Sequence, residues 1–166
     1  MLPGVTDLLD RIAAQWRRER PDLDVAPLAS LGRLLRAADL ADARLSRELA
    51  GLGLEPGWFD VLAALRRAGK PYELNPTALG KAMLLSSGGV TKRLDRLAEA
   101  GLVERRPDPG DRRGTLVRLT PKGKRVVDRS LEAHVANEKR ILAALTPGQR
   151  RALDDALRTL LAGLEP

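Results

Sequence analysis

The chain has 166 residues, no cysteine and one histidine, His134, so disulfides, thiol redox sensing, cysteine-ligated zinc and a histidine-rich metal site are all excluded. Its formal net charge of +7 favours a polyanionic partner, because neutralised phosphates release counterions. No apolar run is long enough to span a bilayer, and the start of the chain lacks a signal peptide's basic and apolar segments; a cytoplasmic protein of one domain's length is expected.

Aromatics make up only 2% of the residues, so the core must be built mainly from Leu, Ala and Val. Thr6 or Asp7 can cap a first helix ending near Arg18, with Leu8, Leu9, Ile12 and Trp16 on one face. Pro21 and its acidic neighbours break it. Pro27 opens a long second helix striped by Leu28, Leu31, Leu35, Ala38, Leu45 and Leu49, and Gly51 and Gly53 end it. Pro56 suits the first turn of a third helix reaching Arg67. Asn75 and Pro76 form a cap and first turn for a fourth, ending near Met83, and Ser86 or Ser87 caps a fifth that stops at Gly101. Short strands follow over 103–107 and 115–119, with Pro109-Gly110 in the centre of a tight turn. Thr120-Pro121 starts a long helix carrying Val126, Val127, Leu131, Val135, Ile141, Leu142 and Leu145, and Thr146-Pro147 starts the last, with Leu153, Leu157, Leu160, Leu161 and Leu164.

The stretch 77–120 carries most of the functional information. A cationic helix is followed by a cationic loop on a hairpin, an arrangement suited to duplex DNA, with the helix in a major groove and the loop in a neighbouring minor groove. This is the winged helix-turn-helix pattern, so the expected fold class is mainly α with a small β-hairpin. On the fifth helix Val90, Leu94 and Leu97 face the core, Lys92, Asp95 and Glu99 face away, and Arg93 sits on the shoulder of the core face. A guanidinium there either snorkels outward or pairs inward with an acid. Ser86, Ser87, Thr91, Lys92 and Arg96 are the candidates for base edges and phosphates, with Arg112 and Arg113 of the loop for the minor groove and Asp111 steering a nearby arginine. The third helix is apolar on almost every face around one carboxylate, Asp60, which therefore needs a partner; Arg93 is a credible one.

Amphipathic helices at both ends exceed what the winged segment needs and predict a homodimer, with two reading helices about one turn of DNA apart, roughly 34 Å. The expected division is 1–54 for dimerisation and a ligand-site lid, 55–120 for DNA binding and 121–166 for dimerisation. Nothing supports an enzyme: there is no Gly-rich phosphate loop and no acid pair with a plausible base, so no catalytic residue, cofactor or metal is assigned.

These residues resemble the MarR family of bacterial transcription regulators, through Leu79-Gly-Lys-Ala82, Ser87-Gly-Gly-Val-Thr-Lys-Arg-Leu-Asp-Arg-Leu97, Gly101-Leu-Val-Glu-Arg105 and the wing with its Leu119-Thr-Pro-Lys-Gly123 exit. The resemblance implies a two-fold dimer on a pseudo-palindromic double-stranded operator, usually acting as a repressor. The added first helix ending in Trp16 and the segment Gly57-Trp-Phe-Asp-Val-Leu62 are similar to the urate-responsive branch. That branch's ligand pattern implies Trp16, Asp60, Arg93 and Arg105 as contacts for urate or a similar anionic metabolite. Trp16 would offer a flat face and Arg105 a bidentate fork. Taken singly, Trp16 serves as well as a packing anchor, Asp60 as half of a structural ion pair and Arg105 as a phosphate contact. A phenolic carboxylate or trans-aconitate is the rival effector, and a basic DNA-binding protein without an effector is the rival class.

Overall fold

The computed structural model describes residues 6–83 and 90–165, which fall into two compact units divided between residues 44 and 45. The expected caps Ser86 and Ser87 lie outside the described residues, as do the side chains of Val90, Arg112 and Arg113.

In the first unit, α1 (Leu8–Glu19) begins at Asp7. Its side chain accepts from the Asp10 amide at 2.9 Å, and Asp10 returns the bond to the Asp7 amide at 3.1 Å. Two of the amides a helix start leaves unpaired are thereby satisfied. Arg33, in the early part of α2 (Ala26–Gly51), donates to both carboxylates and ties the start of α1 to α2. Gly32 lets the Leu9 side chain come close, since a Cβ there would lie 2.6 Å from Leu9 Cδ1.

The second unit holds the rest of α2, then α3 (Trp58–Arg67), β1 (Glu73–Leu74), α4 (Pro76–Ala82), α5 (Val90–Glu99), β2 (Val103–Asp108), β3 (Asp111–Leu119), α6 (Pro121–Ile141), a 3-10 turn over Leu142–Ala144 and α7 (Pro147–Leu164). The sheet is antiparallel in the order β1-β3-β2. Its core joins Val61, Leu62 and Leu65 of α3 to Leu79, Leu94, Leu97, Val117 and Val127, all buried. At roughly 1.5–3 kcal/mol for each large aliphatic side chain, this cluster holds the winged segment together.

Several expectations are corrected. Pro56 does not enter α3: the helix starts at Trp58, with Gly57 as its N-cap in the left-handed region at φ 76°. The strands are longer than 103–107 and 115–119, because pairing continues to Asp108↔Asp111 around the turn. β1 was not expected at all. The helix from Pro121 stops at Ile141, and Leu142 lies in the 3-10 turn.

The exit from the wing joins α5 to α6 through backbone. The Thr120 side chain accepts from Gly123 N at 2.9 Å, capping α6, and donates to the Gly101 carbonyl at 2.8 Å. Lys122 Nζ donates to the Ala100 carbonyl at 2.8 Å. Carbonyls orphaned at the end of α5 are thus satisfied by the first residues of α6. Gly123 lies so close that an added Cβ would collide with the Leu102 carbonyl. The Leu119-Thr-Pro-Lys-Gly123 motif is therefore a structural weld.

Candidate nucleic-acid interface and ligand site

On α5, Leu94 and Leu97 are buried, at 2% and 0% exposure, while Thr91, Lys92, Asp95, Arg96 and Glu99 are exposed. This is the angular division the sequence predicts, and it leaves one face of the helix free for a groove. The flanking charges are organised in a way the sequence did not reveal. Arg96 Nη1 donates to Glu55 Oε2 at 2.8 Å, bridging to the segment ahead of α3. Arg105 on β2 pairs with Asp95 at 2.7 Å. Among the described residues Lys92 has no ion-pair partner. Both pairs join residues far apart in sequence, so no local pattern could have identified them.

The wing turn is fixed by Asp108, whose Oδ1 accepts from Gly110 N at 2.9 Å across Pro109-Gly110. A Cβ at Gly114 would come within 2.8 Å of the Asp108 Cβ, so a small residue is needed where the strands converge. Arg112 and Arg113 stand on β3, immediately after the turn.

The four ligand candidates are not all joined to one another. Trp16 stands on α1 in the first unit, 48% exposed. Asp60 is half-buried in the first turn of α3 and lines a cavity of about 290 Å³ between α3 and α6, with Phe59, Ala63, Val127, Leu131 and His134. Arg105 is held by Asp95. The expected Asp60–Arg93 ion pair is not made: among the described residues neither has an ion-pair partner, and Arg93 Nη1 is buried without a hydrogen bond. The Arg93 guanidinium lies instead over Gly57, where a Cβ would sit 2.5 Å from Cζ. A cation thus rests at the start of α3, the positive end of that helix's dipole. The missed residue is Gly57, and its signal was the glycine next to Pro56 at a helix start.

His134 packs its ring 4.5 Å from that of Phe59. Its Nδ1 is buried without a partner. Asp128 joins Arg66 of α3, which also lines the cavity, at 2.8 Å and Lys124 of α6 at 2.6 Å. The two cations hold its carboxyl below the usual range, Lys124 contributing most. No described group of residues could hold a metal ion, and no described helix is long and apolar enough to cross a membrane.

A hairpin wing welded behind an amphipathic cationic helix defines a winged-helix DNA-binding protein. Residues 52–114 match the family model described as "MarR family". The chain is 40% identical over 154 residues, 93% of its length, to the HTH-type transcriptional regulator PecS of Dickeya dadantii (strain 3937), covering 90% of that protein. Among solved structures it resembles Sco3205, a MarR family transcriptional regulator from Streptomyces coelicolor in complex with DNA (TM-score 0.77, 27% identity, 87% of this chain and 91% of that one). It also resembles Bordetella bronchiseptica BpsR, whose DNA binding is regulated by 6-hydroxynicotinic acid (TM-score 0.68, 29% identity, 78% and 91%). The chain belongs to the MarR family: it is a DNA-binding transcriptional regulator, and its relatives are regulators rather than enzymes.

Proposed function

We propose that this protein is a homodimeric repressor released from a palindromic operator by a small planar anion of the urate type. The observation that carries the effector reading is Arg93, a cation set against the N-terminus of α3 with Nη1 buried and unpaired. An anion bound there would satisfy that nitrogen and the positive helix end together. Nη1 is not reachable while the guanidinium lies on Gly57, so the ligand must favour a state in which α5 has moved relative to α3. A ligand shifts an equilibrium only by such a difference in affinity, typically ~1–3 kcal/mol of coupling, about 5–150-fold. Asp60, Arg105 and Trp16 would complete the contacts, in keeping with the urate-responsive pattern. BpsR's regulation by a heterocyclic acid lends support from within the family.

The DNA contacts we assign to Thr91, Lys92 and Arg96 on the reading helix, to Ser86 and Ser87, which precede it in sequence, and to Arg112 and Arg113 on the wing. Dimerisation would use residues 1–54 and 121–166, in line with the exposure of Leu28, Leu31 and Leu35 of α2 and Leu160, Leu161 and Leu164 of α7. Anisotropy titration of a labelled operator with urate, trans-aconitate, a phenolic carboxylate and 6-hydroxynicotinate tests the effector. Urate should lower wild-type affinity by at least fivefold, with a much weaker response in Asp60→Asn. A response of equal size in wild type, Asp60→Asn and Arg93→Met would refute the site.

A further inference from the structure

Arg96 lies on the exposed flank of the reading helix, where its guanidinium could reach a phosphate, yet Glu55 already holds it at 2.8 Å. Both side chains are about half exposed, at 50% and 47%, so the pair sits in solvent where a nucleic acid could displace the carboxylate. Among the described residues the neighbouring cation Lys92 has no such acid, and the outward acid of the same helix, Asp95, is neutralised by Arg105. Glu55 is thus the acid set against a cation that the DNA-binding reading assigns to the duplex.

We propose that Glu55 competes with the DNA backbone for Arg96 and so holds down the protein's affinity for duplex DNA of any sequence. The proposal rests on the DNA-binding reading of α5. Engagement of a phosphate by Arg96 must first break the bond to Glu55, and it leaves a carboxylate beside a polyanion. That cost falls equally on every DNA sequence, because phosphates carry no sequence information. An operator that also offers base-edge contacts to α5 stays bound under that cost; random duplex, held by charge alone, falls away. Glu55 therefore keeps bulk DNA weakly held in a protein whose charge of +7 would otherwise favour indiscriminate retention.

The test is a double-mutant cycle on the full-length protein, by fluorescence anisotropy with its own upstream operator and a scrambled duplex over a series of salt concentrations. Glu55→Gln keeps the side chain's size and the backbone carbonyl that accepts from Trp58 N, so the α3 start is retained. It should tighten scrambled-duplex binding about two- to fivefold, the scale of an exposed ion pair. The slope of log affinity against log salt should steepen by about 0.9, the signature of one added phosphate contact on duplex DNA. Operator affinity should rise by a similar factor, because the relief is the same for every sequence. In an Arg96→Gln background the same change should have little effect on either quantity. Unchanged scrambled-duplex affinity and slope in Glu55→Gln would overturn the proposal. So would an equal gain in the Arg96→Gln background, which would mean that general charge removal is the cause. Wild-type protein that retains neither duplex would overturn the DNA-binding reading itself and the proposal with it, a result distinct from both.

Discussion

Arg93 occupies an electrostatically poor seat, with its charge at the positive end of α3 and a nitrogen buried without an acceptor. An unsatisfied buried donor costs about 1–3 kcal/mol. Arg93→Met, which keeps the packing and removes the charge, should therefore raise the melting temperature by at least about 2 °C in calorimetry, at the usual scale for domains of this size. The same variant should lose its response to urate. Higher stability with loss of regulation is the mark of a group retained for function at a cost in stability; a lower melting temperature would show that Arg93 is a structural anchor. Gly57 can be tested from the other side. At φ 76° a Cβ is strained, and it would collide with the Arg93 guanidinium. Gly57→Ala should destabilise by about 1 kcal/mol or more and expel Arg93 from its seat, giving an altered urate response in the anisotropy titration.

At the scale of elements, α3 and α6 are joined around Asp128, which Arg66 and Lys124 clasp from the two helices. Its folded carboxyl titrates below its unfolded value, so the pairing stabilises above the ordinary carboxylate range and is lost as pH falls through the lowered value. Asp128→Asn should therefore melt earlier than wild type at neutral pH, with the two curves converging in strong acid; a gap independent of pH would count against the ion-pair account. For the wing, Arg113→Ala should weaken operator binding strongly and flatten its salt dependence. The helices were legible because their starts are written locally: Asp7, Asn75, Thr120 and Thr146 each accept a bond from an amide of the helix they begin. β1 was not, since two residues show no alternation and their pairing with Arg118 and Val117 is a long-range choice. Pro56 misled for a related reason: a proline suits a first turn, but Gly57 takes the left-handed cap and delays the helix by two residues. Of the candidate site, only residue types can be read from the sequence. Its pairing cannot, because Arg93 finds Gly57 rather than Asp60, and a contact with a missing side chain leaves no mark in a charge pattern.

For the whole molecule, the question is what covers the apolar surface. α2 and α7 bury no residue among those described, although both carry leucine stripes. Leu28, Leu31, Leu35, Leu161 and Leu164 are each more than half exposed, more than a lone protomer would leave wet. A second copy is the partner we propose. Leu161→Glu should move the protein from dimer towards monomer in analytical ultracentrifugation and reduce operator affinity at least tenfold, because two linked heads bind far better than one. The join at Gly123 bears on how such a pair could be switched. There the main chain at Leu102, just past the reading helix, abuts Gly123 at the start of α6, while the Thr120 and Lys122 side chains bind the last carbonyls behind α5. A tilt of the reading head would be carried through this joint into the long helix behind it. A single methyl wedged into that joint would reset the angle of every head built on it.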